Sequence, residues 1–251
     1  MGTKTVEGLL RELKLSTAAN ELEDVLRDSN DNATFGWVTN LLQREVDSRK
    51  EKRLQSRIRR SRIPELKCLE GFDWGFNPMI SRERIDDVAT LDFVKESGIV
   101  LFLGQPGTGK SHVASAVGLK AIYSGMSVFW TSLKRLSEDI IKAKEKNDLS
   151  SLFKKVLSSD LWIMDDWGVV SLNREVSEEV FDLLDRRKHS TAMILTSNRD
   201  INEWPEVFVD PVLASAAIDR IFDRASVTIF KGKSYRAQGN KVEGVVEKVN
   251  L

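Results

Sequence analysis

Residues 99–111 read Ile-Val-Leu-Phe-Leu-Gly-Gln-Pro-Gly-Thr-Gly-Lys-Ser, and no other run in the chain restricts its fold as tightly. The apolar stretch Ile99–Leu103 has the composition of a strand buried on both faces, as in a parallel sheet. The glycines that follow permit a tight turn into a helix beginning near Lys110. The spacing of Gly104, Gly109, Lys110 and Ser111 is G-x-x-x-x-G-K-[ST], in which successive backbone N–H groups and a helix N-terminus surround a β-phosphate. Lys110 is expected to reach the β- and γ-oxygens, and the Ser111 hydroxyl to ligate Mg²⁺. The candidate nucleotide-binding residues are therefore Gly104, Gln105, Pro106, Gly107, Thr108, Gly109, Lys110, Ser111 and His112, with a nucleoside triphosphate and Mg²⁺ as the expected cofactors.

Downstream, strands alternate with helices of ten to fifteen residues, which predicts βαβ units and an α/β fold with a parallel sheet. A helix over 112–124 precedes a strand at 127–131. Residues 132–146 form a helix burying Leu133, Leu136 and Ile140, with Ile141 at the margin of that face, and a helix over 149–158 follows. Leu161–Met164 then makes a third strand ending in Asp165 and Asp166. At the end of such a strand Asp165 can hold Mg²⁺ opposite Ser111, and Asp166 can orient the attacking water and accept its proton. After a helix over 174–188, a fourth strand ends at Asn198, whose amide can hold the same water near the γ-phosphate. Residues 210–224 read as a helix with Arg220 and Arg224 one turn apart on one face. Either arginine could be delivered across a subunit boundary to a neighbour's γ-phosphate, or could simply pair with Asp219 or Asp223.

The bases and acids, 38 of each, cancel globally but not locally. Residues 3–30 suggest two short amphipathic helices, and a longer helix follows Thr34. Toward its end Arg49, Lys50, Lys52, Arg53, Arg57, Arg59, Arg60 and Arg62 face a single acid, Glu51. That density of unopposed charge suits a nucleic-acid backbone. Arg49, Lys50, Arg53, Arg57, Arg59 and Arg60 are the candidate DNA contacts there, joined by Lys134, Arg135 and Lys142 on the helix over 132–146. The expected organisation is a helical N-terminal domain over 1–65, an ATPase domain over 66–240 and a tail over 241–251. Phe72, Trp74 and Phe76 could stack on an adenine, although packing between the two domains is the simpler expectation. No run is long and apolar enough for a membrane span and no signal peptide is visible, which predicts a cytoplasmic protein without a membrane partner. One cysteine, Cys68, excludes an internal disulfide and is expected to be at least half-buried.

Taken together, Gly-Gln-Pro-Gly-Thr-Gly-Lys-Ser-His (104–112), Ile-Met-Asp-Asp-Trp-Gly (163–168), Thr-Ser-Asn (196–198), Asp-Pro-Val-Leu-Ala-Ser-Ala-Ala-Ile-Asp-Arg (210–220) and Gly-Lys-Ser-Tyr-Arg (232–236) resemble the IstB-type AAA+ ATPases of bacterial insertion sequences. The helicase loaders exemplified by DnaC are close relatives of that family. The resemblance implies a AAA+ core without the usual helical lid. It also implies ATP-dependent self-assembly into a ring or helix on double-stranded DNA, bending of that DNA, and recruitment of an IstA-type transposase. A helicase loader acting on single-stranded DNA is the alternative within the same chemistry. Most AAA+ proteins carry glutamate where this chain has Asp166, so slow hydrolysis is expected.

Overall fold

The computed structural model describes residues 3–28 and 35–237; the expected tail over 241–251 lies outside them. The chain divides into two compact units, one reaching Ser56 and the other starting at Arg57. In the first, helices α1 (Thr3–Glu12), α2 (Ser16–Asp28) and the leading part of α3 (Phe35–Ser61) close over a small core. Leu9 and Leu13 pack with Val46 there, and Val6 and Leu10 with Ala19. These positions recur at the three- and four-residue spacing that puts them on one helical face.

The division falls inside α3, earlier than the expected boundary at residue 65, because the residues from Arg57 onward are held by the second unit. Arg62 pairs with Asp139 at 2.7 Å, and the Ile63 side chain lies against Gly118.

The second unit is a three-layer sandwich around a five-stranded parallel sheet. Its strands are β1 (Ile99–Gly104), β2 (Val128–Ser132), β3 (Leu161–Trp167), β4 (Ala192–Ser197) and β5 (Ala225–Phe230), in the order β2-β3-β4-β1-β5. Both faces are covered, which is why β1, β3 and β4 are apolar up to their C-terminal ends instead of alternating. One face buries Leu101, Trp162, Met164 and Leu195. Against it pack α7 (Leu133–Glu145), α8 (Leu149–Leu157), α9 (Arg174–Arg186) and α10 (Pro211–Phe222). Ile141, expected at the margin of the buried face of α7, is exposed. The other face is covered mainly by α6 (Lys110–Tyr123), which contacts four of the strands. Two short helices, α4 (Arg82–Val88) and α5 (Asp92–Lys95), lead into β1. Among the described residues only a single 3₁₀ turn, Tyr235–Ala237, follows β5.

Helix α10 ends earlier than its sequence pattern predicts. Asp210 caps its first turn by accepting from the N–H groups of Val212 and Leu213, and Asp223 turns to extended backbone (ψ 106°), so the last helical residue is Phe222. Arg224 lies beyond it with a positive φ of 61°. The expected pairing of Arg220 and Arg224 on one helical face is therefore incorrect, because the helix stops between them.

Candidate nucleotide site

The parallel strands β1, β3 and β4 end on the same edge of the sheet, where ligands of open α/β folds bind. A cavity of about 590 Å³ opens there. Its wall includes Pro106 through His112, Asp165, Asp166 and Asn198, so the sequence-predicted groups converge across three strand ends.

Gly104 and Gln105 serve the cavity without lining it. Their carbonyls accept hydrogen bonds from Lys110 Nζ at 2.7 and 2.8 Å. Gly104 has φ +144°, and a Cβ there would strike the Phe230 carbonyl, so the residue is glycine because β5 passes so close. Lys110 itself is nearly enclosed, at 4% exposure. Burial pulls its pKa down to about 8, opposed by the charges of Asp166 and Asp165 and reinforced slightly by Arg236.

The acidic pair is arranged by an irregularity in β3. Met164 stands opposite Leu195 and Trp167 opposite Ser197, so Asp165 and Asp166 together face the single residue Thr196. Consecutive residues of a regular strand point to opposite faces, whereas this bulge turns both aspartates toward the cavity. Asp166 accordingly has φ +55°, an uncommon conformation for a residue with a side chain. Thr196 ties the bulge together: its hydroxyl donates to Asp165 Oδ1 at 2.6 Å and accepts from the Asp166 N–H at 3.1 Å. Ser111 donates to the same Asp165 oxygen at 2.8 Å. Asp165 is pushed above the usual carboxylate range by burial, with the hydroxyls of Thr196 and Ser111 working against the rise. Asn198 donates to Asp166 Oδ1 at 3.2 Å.

This donor set fits a magnesium–nucleotide complex. One hydroxyl and one ionisable carboxylate converge at hydrogen-bond distance beside a phosphate loop, the small hard-oxygen set a magnesium ion shares with phosphate and water. Among the described residues no group of three or more His, Cys, Asp or Glu forms a metal cage.

Further wall residues lie outside the phosphate loop and the strand ends. Phe72 packs on Gly109 and stacks edge-on against His112, with ring centroids 5.3 Å apart. His112 in turn bonds through Nε2 with the Cys68 carbonyl at 3.1 Å. Phe76 meets Tyr235 edge-on at 5.0 Å. Phe72 and Phe76 thus line the cavity. Arg236 also lines it. Cys68, expected to be at least half-buried, is exposed.

The remaining candidates lie elsewhere. Arg220 is held by Asp185 at 2.7 Å and Asp219 at 3.0 Å, and neither it nor Arg224 lines the cavity. Of the basic candidates, Arg49 bonds Glu45 and the Leu13 carbonyl, and Lys50 pairs with Glu12. No acid lies within ion-pair distance of Arg53, Arg57, Arg59 or Arg60 among the described residues. Lys134, Arg135 and Lys142 are exposed on α7. Two bases not assigned to DNA from sequence lie close to this surface: Arg62 and Lys155 both stand over the Phe129 ring, at 5.2 and 5.8 Å. The Lys155 pKa is lowered by burial first and then by the neighbouring charge of Arg62, with Arg135 adding to it.

Strand order, phosphate loop and paired aspartates together define a P-loop NTPase core of the AAA+ class. The fold agrees with solved structures. It matches the DnaC helicase loader with a TM-score of 0.52 at 21% identity, over 59% of this chain and 87% of that one. It matches AMPPCP-bound DnaA from Aquifex aeolicus with a TM-score of 0.55 at 20% identity, over 67% and 50%. The chain belongs to the family of IstB-like ATP binding proteins, whose model matches residues 8–243. Among its relatives are ATP-binding proteins of two insertion sequences. That of IS21 from Pseudomonas aeruginosa is 35% identical, over 97% of this chain and 92% of its own length. That of IS232 from Bacillus thuringiensis subsp. berliner is 33% identical, over 90% and 92%. No helix among the described residues is long and apolar enough to cross a membrane.

Proposed function

We propose that the protein is a magnesium-dependent ATPase that self-assembles on double-stranded DNA and prepares it for an IstA-type transposase, with ATP occupancy governing assembly. The observation that carries this reading is the 2.8 Å bond between Ser111 and Asp165 in a wall shared with Asp166 and Asn198. Magnesium bound there would neutralise developing charge on the phosphates. Lys110 offers an ammonium to the phosphate oxygens, and its low pKa lets a bound anion recharge it at alkaline pH. Asp166 accepts a proton from water, and the Asn198 amide holds that carboxylate in orientation. Aspartate is one methylene shorter than the glutamate common at this position, and the positive φ of Asp166 is a backbone means of re-aiming it.

Arg220 is the residue we assign to a neighbouring copy's γ-phosphate, with Arg224 second. Its two acid partners lie outside the cavity, so such a role requires those pairs to open when copies meet. With Arg220 33% exposed and its acids 49% and 75% exposed, they are pairs of little strength. Contacts to the duplex backbone are assigned to Arg53, Arg57, Arg59 and Arg60, whose charge lacks acid partners among the described residues, and to Lys134, Arg135 and Lys142. Arg49 and Lys50, tied to their own unit's acids, contribute less. The chain's insertion-sequence relatives support the transposition setting.

Imaging the protein with ATP and either duplex or single-stranded DNA tests this reading. ATP-dependent assemblies on bent duplex are expected. Assembly confined to single strands would favour the helicase-loader reading, and indifference to ATP would refute both.

A further inference from the structure

The chain leaves β5 through Gly232-Lys-Ser-Tyr-Arg236, and this short strap returns to the phosphate loop instead of running out from the sheet edge. Two attachments hold it. The Tyr235 N–H donates to the Gly107 carbonyl at 2.9 Å, inside the loop itself. The Lys233 peptide is gripped from both sides by one side chain: Asn77 Oδ1 accepts the Lys233 N–H at 2.9 Å, and Asn77 Nδ2 donates to the Lys233 carbonyl at 3.0 Å. A carboxamide satisfying both backbone groups of one residue reproduces a strand-pair interaction with a side chain, and it fixes position and orientation together. Asn77 is only 5% exposed, so its amide has no water to replace these partners, and losing either leaves a buried polar group unpaired. Gly232 is part of the same device. It has φ +139°, and a Cβ there would collide with the Asn77 carboxamide.

The strap carries Arg236, which lines the cavity and stands near enough to Lys110 for its charge to be felt there. It also carries Tyr235, the edge-on partner of Phe76. Asn77 is neighbour to Phe76 in sequence, so one amide couples two walls that are 156 residues apart.

We propose that Asn77 is a positioning residue: by gripping the Lys233 peptide it holds the strap against the phosphate loop and thereby fixes Arg236 at the phosphate end of the cavity. Asn77 touches no phosphate in this scheme and acts through Arg236. The proposal rests on the reading of this cavity as the nucleotide site.

The test is a double-substitution cycle on the full-length protein, using equilibrium binding of ATP with magnesium and circular dichroism to confirm folding. Asn77→Ala and Arg236→Ala should each weaken ATP binding about tenfold, the scale of one lost charge-assisted contact. In the double variant the second substitution should add less than about twofold, because both remove the same contact. Asn77→Asp keeps the size and the acceptor for the Lys233 N–H but loses the donor to its carbonyl; it should weaken binding as Asn77→Ala does. Multiplying effects would overturn the proposal, as would tight binding by Asn77→Asp or by Asn77→Ala. If Asn77→Ala unfolds, the cycle run with Asn77→Asp decides. Wild-type protein that binds no ATP would instead overturn the reading of the cavity, so the two failures are distinguishable.

Discussion

Two regions of this molecule carry chemistry suited to phosphate oxygens, and they are built in opposite ways. Around the cavity Lys110 is buried, Ser111, Asp165, Asp166 and Asn198 are half-buried, and most are held in place by a partner from another strand or loop. Lys110 is held by two carbonyls, Asp165 by two hydroxyls, and Asp166 by Thr196 and Asn198. On the basic surface of the second unit the opposite holds: Arg57, Arg59 and Arg60 are exposed, without acid partners among the described residues, on long flexible stems. The first arrangement is preorganised for one small ligand in one orientation. The second is matched to a repeating polyanion that can be met in many registers, and its energy resides largely in released counterions. Substitutions in the cavity should therefore alter rate and affinity steeply, whereas those on the surface should act gradually and depend on salt.

The largest expected effect would carry the comparison to the subunit boundary. Arg220→Ala should reduce DNA-stimulated ATP turnover about a thousandfold while leaving ATP binding within a few-fold of wild type, as for a charge supplied in trans. Full turnover in that variant, measured by phosphate release, would move the role to Arg224 or to neither. Asp166→Asn should lower turnover about a hundredfold with ATP still bound, lengthening the life of DNA complexes. Normal turnover there would remove Asp166 from catalysis.

A smaller effect follows from Lys110. Its pKa in the folded protein is about 8, below the usual lysine value. Phosphate prefers the ammonium form, so ATP affinity should be level below pH 8 and fall by up to tenfold per pH unit above it. Binding between pH 8 and the normal lysine range should take up a proton, detectable by calorimetry in buffers of different ionisation enthalpy. The same shift means that the unfolded chain binds more protons than the folded one across that interval, so this group's contribution to stability rises with pH there. A flat affinity profile through pH 9 would contradict the assignment.

The smallest effect belongs to the surface. Arg59→Ala with Arg60→Ala should weaken duplex binding uniformly across sequences and reduce the slope of log affinity against log salt by up to about 2. An unchanged slope would show that these charges face only solvent.

The same contrast explains what could be read from sequence. The phosphate loop is local, and its glycines and Lys110 announce it within a few residues. Asp165, Asp166 and Asn198 are legible because each closes an apolar run, and parallel strands gather their ends at one edge. The bulge that lets both aspartates face the cavity has no local signature, since it depends on Thr196 in a strand 30 residues away. The attachment of the strap was hidden for the same reason: Asn77 and Lys233 meet only once the sheet has formed. Arg224 was misplaced because Asp223 ends α10 by a change in its own backbone, without a glycine or proline to mark it.

The central claim is that Ser111 and Asp165 share one magnesium ion with the nucleotide. The most direct test is the affinity for ATP with and without magnesium in wild type, Ser111→Ala and Asp165→Ala. Wild-type protein should bind ATP more tightly when magnesium is present, and each variant should lose that gain while binding magnesium-free ATP at least as well. If the gain survives both substitutions, the ion is held elsewhere and the account is wrong.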